Sequence, residues 1–208
     1  MKKLLLLAIA AFLMVGVAAN AQSKKELKGI QKEAKALAKN LKKEGYTNLE
    51  MGLMEGVIER YMTKLRVTKE GESRKKDLVG VAYGYKTLNL AKQAALNNAI
   101  NEYASQCSGV VKARIVSELS TVPEAQVDNM IGGFERILMH SLKGELQLEV
   151  TMYREKRKQF DVRAYCIIDF DAARTAAKEA MKQALEEQEL YQQYGSNISS
   201  WINEGMAN

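Results

Sequence analysis

The chain has 208 residues, 31 Lys and Arg against 25 Asp and Glu for a formal net charge of +6, and is 27% charged but only 7% aromatic. Mild basicity, with lysines mostly set among glutamates on outer helix faces, lacks the interleaved basic and aromatic stripe of a nucleic-acid binder, so nucleic acid is not expected as a partner. A single proline, Pro123, and no low-complexity linker before the last dozen residues predict one core rich in regular secondary structure.

The chain opens on MKKLLLLAIAAFLMVGVAANA. Lys2 and Lys3 precede an apolar run of 15 residues, Leu4 to Ala18, and Ala19-Asn20-Ala21 is a small-x-small site ahead of Gln22. This pattern predicts an export signal, residues 1–21, cleaved after Ala21. A spanning anchor would want about 20 apolar residues. Gln22 stands where a lipoprotein would carry its modified cysteine, so no lipid anchor is expected there. Cleavage leaves 187 of the 208 residues in a periplasm or outside the cell, with the net charge reduced from +6 to +4 by loss of Lys2 and Lys3.

An N-terminal helical arm, residues 22–68, follows. Leu27, Ile30, Ala34, Leu37, Ala38 and Leu41 recur every three or four residues from Ser23 to Glu44, and Gly45 ends the helix. A second helix over about Leu49 to Leu65 carries Leu53, Met54, Val57, Ile58, Tyr61, Met62 and Leu65 on one face. Its methionines are read first as core filling. KEGESRKK, Lys69 to Lys76, is a predicted turn.

The main domain is placed at residues 69–186. Asp77 to Lys86 alternates Val79, Val81, Tyr83 and Tyr85 with Leu78, Gly80, Ala82 and Gly84, a strand with one bulky and one small face. The small face admits a close neighbour; neither GxGxxG nor GxxxxGK[ST] is present. Leu88 to about Gln106 is a helix whose buried face is largely alanine. Val110 to Leu119 reads as helix or strand, with continued helix preferred. Thr121 and Glu124 form a capping-box pattern that opens a helix to about Leu142. Leu146 to Arg154 and Gln159 to Asp169 form a hairpin turning through Arg154 to Lys158, a solvated basic run. Leu146, Leu148, Val150 and Met152 face one way, as do Phe160, Val162, Ala164, Cys166 and Ile168 on the partner strand. Asp169 or Asp171 caps a final helix with an alanine face. A polar tail, 187–208, holds the only tryptophan, Trp201, and is expected to be frayed or docked on a partner.

The pattern predicts an α+β fold: a small, mostly antiparallel sheet packed by helices on one face, with an N-terminal helical arm. Catalytic signatures are wanting. His140 is the only histidine and has neither HExxH nor CxxC beside it, so no metal or cofactor is expected. No serine sits in a GxSxG elbow. Glu145 with Glu149, and Asp169 with Asp171, read as solvent-facing and capping residues before acid–base pairs. Cys107 and Cys166 either form one disulfide in an oxidising compartment or pack as free thiols.

VGVAYG feeding LNLAKQAALNNAINEYA, with the late pair LQLEVTMYREKRKQFDVRAYCIIDF, resembles the LPP-twenty-type bacterial envelope lipoprotein family, whose members are similar to the N-terminal part of a flagellar assembly protein. The helix AKALAKNLKKEGY also resembles small secreted proteins of uncharacterised function. The resemblance covers about half the chain. It implies an envelope or secreted location, a small helix-on-sheet domain, no enzyme activity and no catalytic residue. A non-lipidated relative is implied by Gln22.

These readings lead to a noncatalytic exported protein-interaction module that binds an envelope protein or itself, with Met54, Met62 and Trp201 as candidate interaction surface. The alternative is a small-ligand or lipid carrier whose pocket lies between the sheet and the helices bearing Met54, Met62 and Phe134. A hydrolase using His140 comes third.

Overall fold

A computed structural model describes residues 24–66, 74–116 and 118–205. The predicted export signal, part of the predicted turn before the first long strand, and the last three residues lie outside the described residues. Helix α1 spans 24–43 and ends where Gly45 takes φ +84°, with Tyr46 N donating to Leu41 O at 2.9 Å. A short strand β1, Thr47–Asn48, leads through residues 49–53 into α2, Met54–Arg66. The second helix therefore begins five residues later than its apolar spacing predicts. Gly52 at φ +109° breaks the helical path there, and Leu49 N bonds to Thr151 O on the sheet instead.

Strand β2, Lys75–Tyr85, precedes α3, Leu88–Ile115, whose first turn is capped by Thr87 Oγ1 accepting from Leu90 N at 3.3 Å. This helix runs unbroken through Cys107-Ser108-Gly109 and takes up the ambiguous stretch as far as Ile115. Helix α4, Glu124–Leu142, starts without the expected capping box. Pro123 occupies the N-cap, which makes Glu124 the first helical residue rather than the third and puts Thr121 outside capping reach. Strands β3, Gln147–Lys156, and β4, Gln159–Asp169, turn through Arg157 and Lys158 alone, both left-handed at φ 53° and 62°, as a two-residue hairpin requires. Asp169 Oδ1 then accepts from Asp171 N and Ala172 N and caps α5, Phe170–Glu187. The C-terminal segment forms α6, Tyr191–Tyr194, a single 3-10 turn, and α7, Ile198–Gly205.

The four strands form an antiparallel sheet in the order β1-β3-β4-β2. The α+β expectation holds, but the helices cover both faces. Helices α3, α4, α5 and α7 pack on one face against Leu78, Ala82, Val162, Ala164, Cys166 and Ile168. Helices α1 and α2 pack on the other against Val150, Met152, Tyr165 and Ile167. The N-terminal arm is thus the second cover of the sheet.

A β-bulge makes this two-sided arrangement. Leu148 pairs with Cys166 but Val150 pairs with Tyr165, so Glu149 is an extra residue in β3. Before it, Leu146 and Leu148 face the α3 side; after it, Val150 and Met152 face the α1 side. The predicted common face of these four residues is corrected, because one inserted residue inverts the alternation. On β2 the small face behaves as read: a Cβ on Gly80 would stand 1.8 Å from Ala95 O, and Ala91, Ala95 and Ala99 are buried. That contact sets how closely α3 lies on the sheet.

Candidate functional site

The residues expected at an interaction surface are not together and are mostly not on the surface. Trp201 has 0% exposure, its indole N–H donates to Glu118 Oε2 at 2.9 Å, and its ring centroid lies 6.4 Å from that of Tyr194. The tail docks on its own domain, with Leu190, Tyr194, Ile198 and Ile202 buried beside it. Met54, on α2, is buried in the cluster between the arm and the sheet and Met62 packs half-buried against the same cluster, so both fill core as thioethers commonly do. Phe134 belongs to the cluster on the opposite face. The sheet separates it from Met54 and Met62, and no single pocket can be lined by all three.

The candidate chemical groups are equally dispersed. His140 is exposed in the last turn of α4. Cys107 and Cys166 are buried free thiols, so the disulfide alternative is not the one adopted. Burial pushes both thiols up, Cys166 to about 12, which keeps them protonated and poor nucleophiles. Glu149 sits at the bulge and pairs with Lys64, while Glu145 is exposed. Among the described residues no group of three or more His, Cys, Asp or Glu could hold a metal ion.

A polar cluster overlooked by the sequence reading lies where the arm meets the sheet. Arg154, assigned to a solvated turn, is on β3, and its guanidinium lies 4.8 Å from the centre of the Tyr46 ring; that of Arg163 lies 4.7 Å away. Arg154 Nε donates to Asp161 Oδ2 at 2.8 Å and Arg154 Nη1 to Glu44 O at 2.9 Å, while Arg163 Nη2 donates to Glu44 Oε2. Asp161 Oδ1 also accepts from Gly84 N, at the irregularity of β2. Burial raises the Tyr61 and Tyr46 hydroxyls, against the pull of the two guanidiniums on Tyr46. For Asp161, burial is outweighed by the Gly84 N–H and Arg154, which hold its carboxyl below the usual range. Each arginine has its own carboxylate, so the cluster is charge-balanced and acts as a latch between arm and sheet, not as an anion trap.

What stays in the open is the outer half of β2. This strand ends the sheet, and on the α1 side Val79 and Tyr83 are exposed, Tyr83 by 61%. Beside its first half, Lys76, Leu78, Val79, Ala99 and Tyr103 help line a groove of about 180 Å³ between strand and α3, with Lys76 Nζ 5.3 Å from the Tyr103 ring centre. Further along, Asn98 Nδ2 donates to Val81 O at 2.7 Å and occupies the strand's outer edge. Asn98 therefore closes the edge at Val81, and the groove opens beside Leu78 and Val79.

Comparison with known protein families, curated proteins and solved structures finds no match. The fold and these surfaces must carry the functional argument alone.

Proposed function

We propose that this is a noncatalytic exported protein that binds a protein partner by accepting an extended segment along the first half of β2. The observation that carries the reading is the outer edge of that strand: Val79 is exposed beside a groove, on a long strand that ends the sheet. Strand addition uses main-chain hydrogen bonds for affinity and pockets for alternate side chains for selectivity. The groove beside Leu78 and Val79 offers such a pocket, and the Asn98 bond to Val81 O sets where pairing stops.

Export is supported by the leader pattern of residues 1–21, and the partner is then an envelope protein or a second copy of the chain. A binding role is supported over a catalytic one by the two buried thiols and by the pairing of the Asp161 and Glu149 carboxylates within the fold. The resemblance to envelope lipoproteins points the same way.

A photo-crosslinking side chain in place of Val79, compared with one in place of the exposed Lys143 at the far end of α4, tests the reading in cells. A discrete adduct from position 79 and none from 143 is expected. No adduct at 79, or the same adducts at both positions, would sink it.

A further inference from the structure

Helix α1 carries eight lysines, Lys24, Lys25, Lys28, Lys32, Lys35, Lys39, Lys42 and Lys43, and all eight are exposed. At 3.6 residues per turn they fall within an arc of about 100°, whereas Glu26 and Glu33 fall on the far flank and Ile30, Ala34, Ala38 and Leu41 lie between, turned into the core. The expectation that lysines sit mostly among glutamates on the outer helix faces fails on this helix. Glu33 is held by Arg66 of α2, and among the described residues none of the eight lysine side chains makes an ion pair or hydrogen bond. The result is an unneutralised cationic stripe about 30 Å long.

A second feature lies at one end of the stripe. Lys35, Lys39, Lys42 and Lys43 line, with Glu55 at the start of α2, a cleft of about 500 Å³, and the loop of residues 49–53 immediately precedes that helix. Its Met51 and Leu53 are 95% and 81% exposed. The loop is fixed: Asn48 Nδ2 donates to Glu50 O at 2.6 Å and to Gly52 O at 3.1 Å, and Thr151 N donates to Glu50 Oε1 at 2.7 Å. Two large apolar side chains are thus held out into solvent by a built scaffold.

We propose that the lysine face of α1, with the Met51 and Leu53 loop, docks this protein on the surface of an anionic phospholipid bilayer. Lysines near such a surface contribute roughly fivefold each in partitioning, and short apolar protrusions enter the headgroup boundary. The apolar face of α1 is committed to the sheet, so the helix lies on the surface and does not insert. Nucleic acid fits less well: α1 has no arginine and no aromatic residue with which to grip phosphate in two-point fashion or to stack on bases. The docking is independent of the strand-addition surface on β2.

The test uses the chain from Gln22, which contains every described residue and lacks the apolar leader, with vesicles of phosphatidylcholine alone or with about one-third phosphatidylglycerol. Cosedimentation with the anionic vesicles should exceed that with phosphatidylcholine at least tenfold and be released by about 0.5 M salt. Lys35→Glu, Lys39→Glu and Lys42→Glu together should lower it at least tenfold, with the fold checked by Trp201 fluorescence. Met51→Ser with Leu53→Ser should lower it severalfold and leave its salt dependence in place. Equal binding to both vesicles, no binding, or unchanged binding of the triple variant would overturn the proposal. So would tighter binding to a single-stranded oligonucleotide than to the anionic vesicles.

Discussion

Gly80 shows how much one absent methyl group can decide. Its missing Cβ lets the α3 backbone reach the strand, where any side chain would strike Ala95 O and Ala99 N. Gly80→Ala should therefore cost about 3 kcal/mol, read from urea unfolding, and a loss below about 1 kcal/mol would mean that α3 can slide away from the sheet. The buried acids of the core make a second residue-level case. Burial raises the Cys107 and Cys166 thiols and the Tyr61, Tyr103 and Tyr165 hydroxyls from their ordinary values of 9.0 and 10.0. Each group holds its proton more tightly folded than unfolded, so its contribution is whole below those ordinary values and drains away as pH rises towards the folded ones. The urea midpoint should hold steady through neutral pH and fall above about pH 9, where the unfolded thiols and then the unfolded tyrosines begin to ionise. A thiol reagent at mildly alkaline pH should label neither cysteine in the native chain and both after unfolding; rapid native labelling would contradict their burial.

At the level of elements, the bulge at Glu149 is the decisive irregularity. Deleting Glu149 would take out the unpaired residue and leave Leu148 opposite Cys166 and Val150 opposite Tyr165, so that Val150 and Met152 stay on the α1 side in a regular ladder. The deletion should therefore leave folding cooperative, and Glu149→Gln, which keeps the bulge and removes only the Lys64 ion pair, should change stability by about 1 kcal/mol or less. Circular dichroism during thermal unfolding checks both; loss of a cooperative transition on deletion would mean that the extra residue does more than set which side Val150 and Met152 face. This is also where sequence reading met its limit. The alternation of β2, the alanine face of α3 and the cap at Asp169 were legible because each is a local pattern with a local cause. A bulge has no such signature: both strands look regular, and only their pairing reveals the extra residue. The Thr121 and Glu124 pattern misled because Pro123 itself takes the N-cap. The lysine face of α1 was legible and was passed over, since composition counts glutamates that a helical wheel places on another side. In the tail, the polar residues around 187–193 masked Leu190, Tyr194, Ile198, Trp201 and Ile202, whose spacing brings them to one side.

For the whole molecule, the consequence of one sheet with two helical covers is an uneven distribution of stability. Strand β4 contributes to both sides, with Ala164, Cys166 and Ile168 towards α3 and Tyr165 and Ile167 towards α1. Loss of the larger core therefore removes the platform of the arm, but the arm can leave while the larger core stays. Its attachment rests on a smaller apolar cluster and on the latch in which Arg154 and Arg163 flank Tyr46. Native-state hydrogen exchange in increasing urea should find α1 and α2 amides exchanging through a partial opening, while α3 amides near Ala95 exchange only through global unfolding, in step with the Trp201 fluorescence change. Tyr46→Ala should widen that gap, costing about 3 kcal/mol in the protection of α1 and much less in α3. Equal losses in both helices would mean that the two covers unfold as one unit, and the arm would then be as integral to the domain as α3. A selective loss would mean that α1, with its lysine face, can change its attachment to the sheet while β2 remains fully formed.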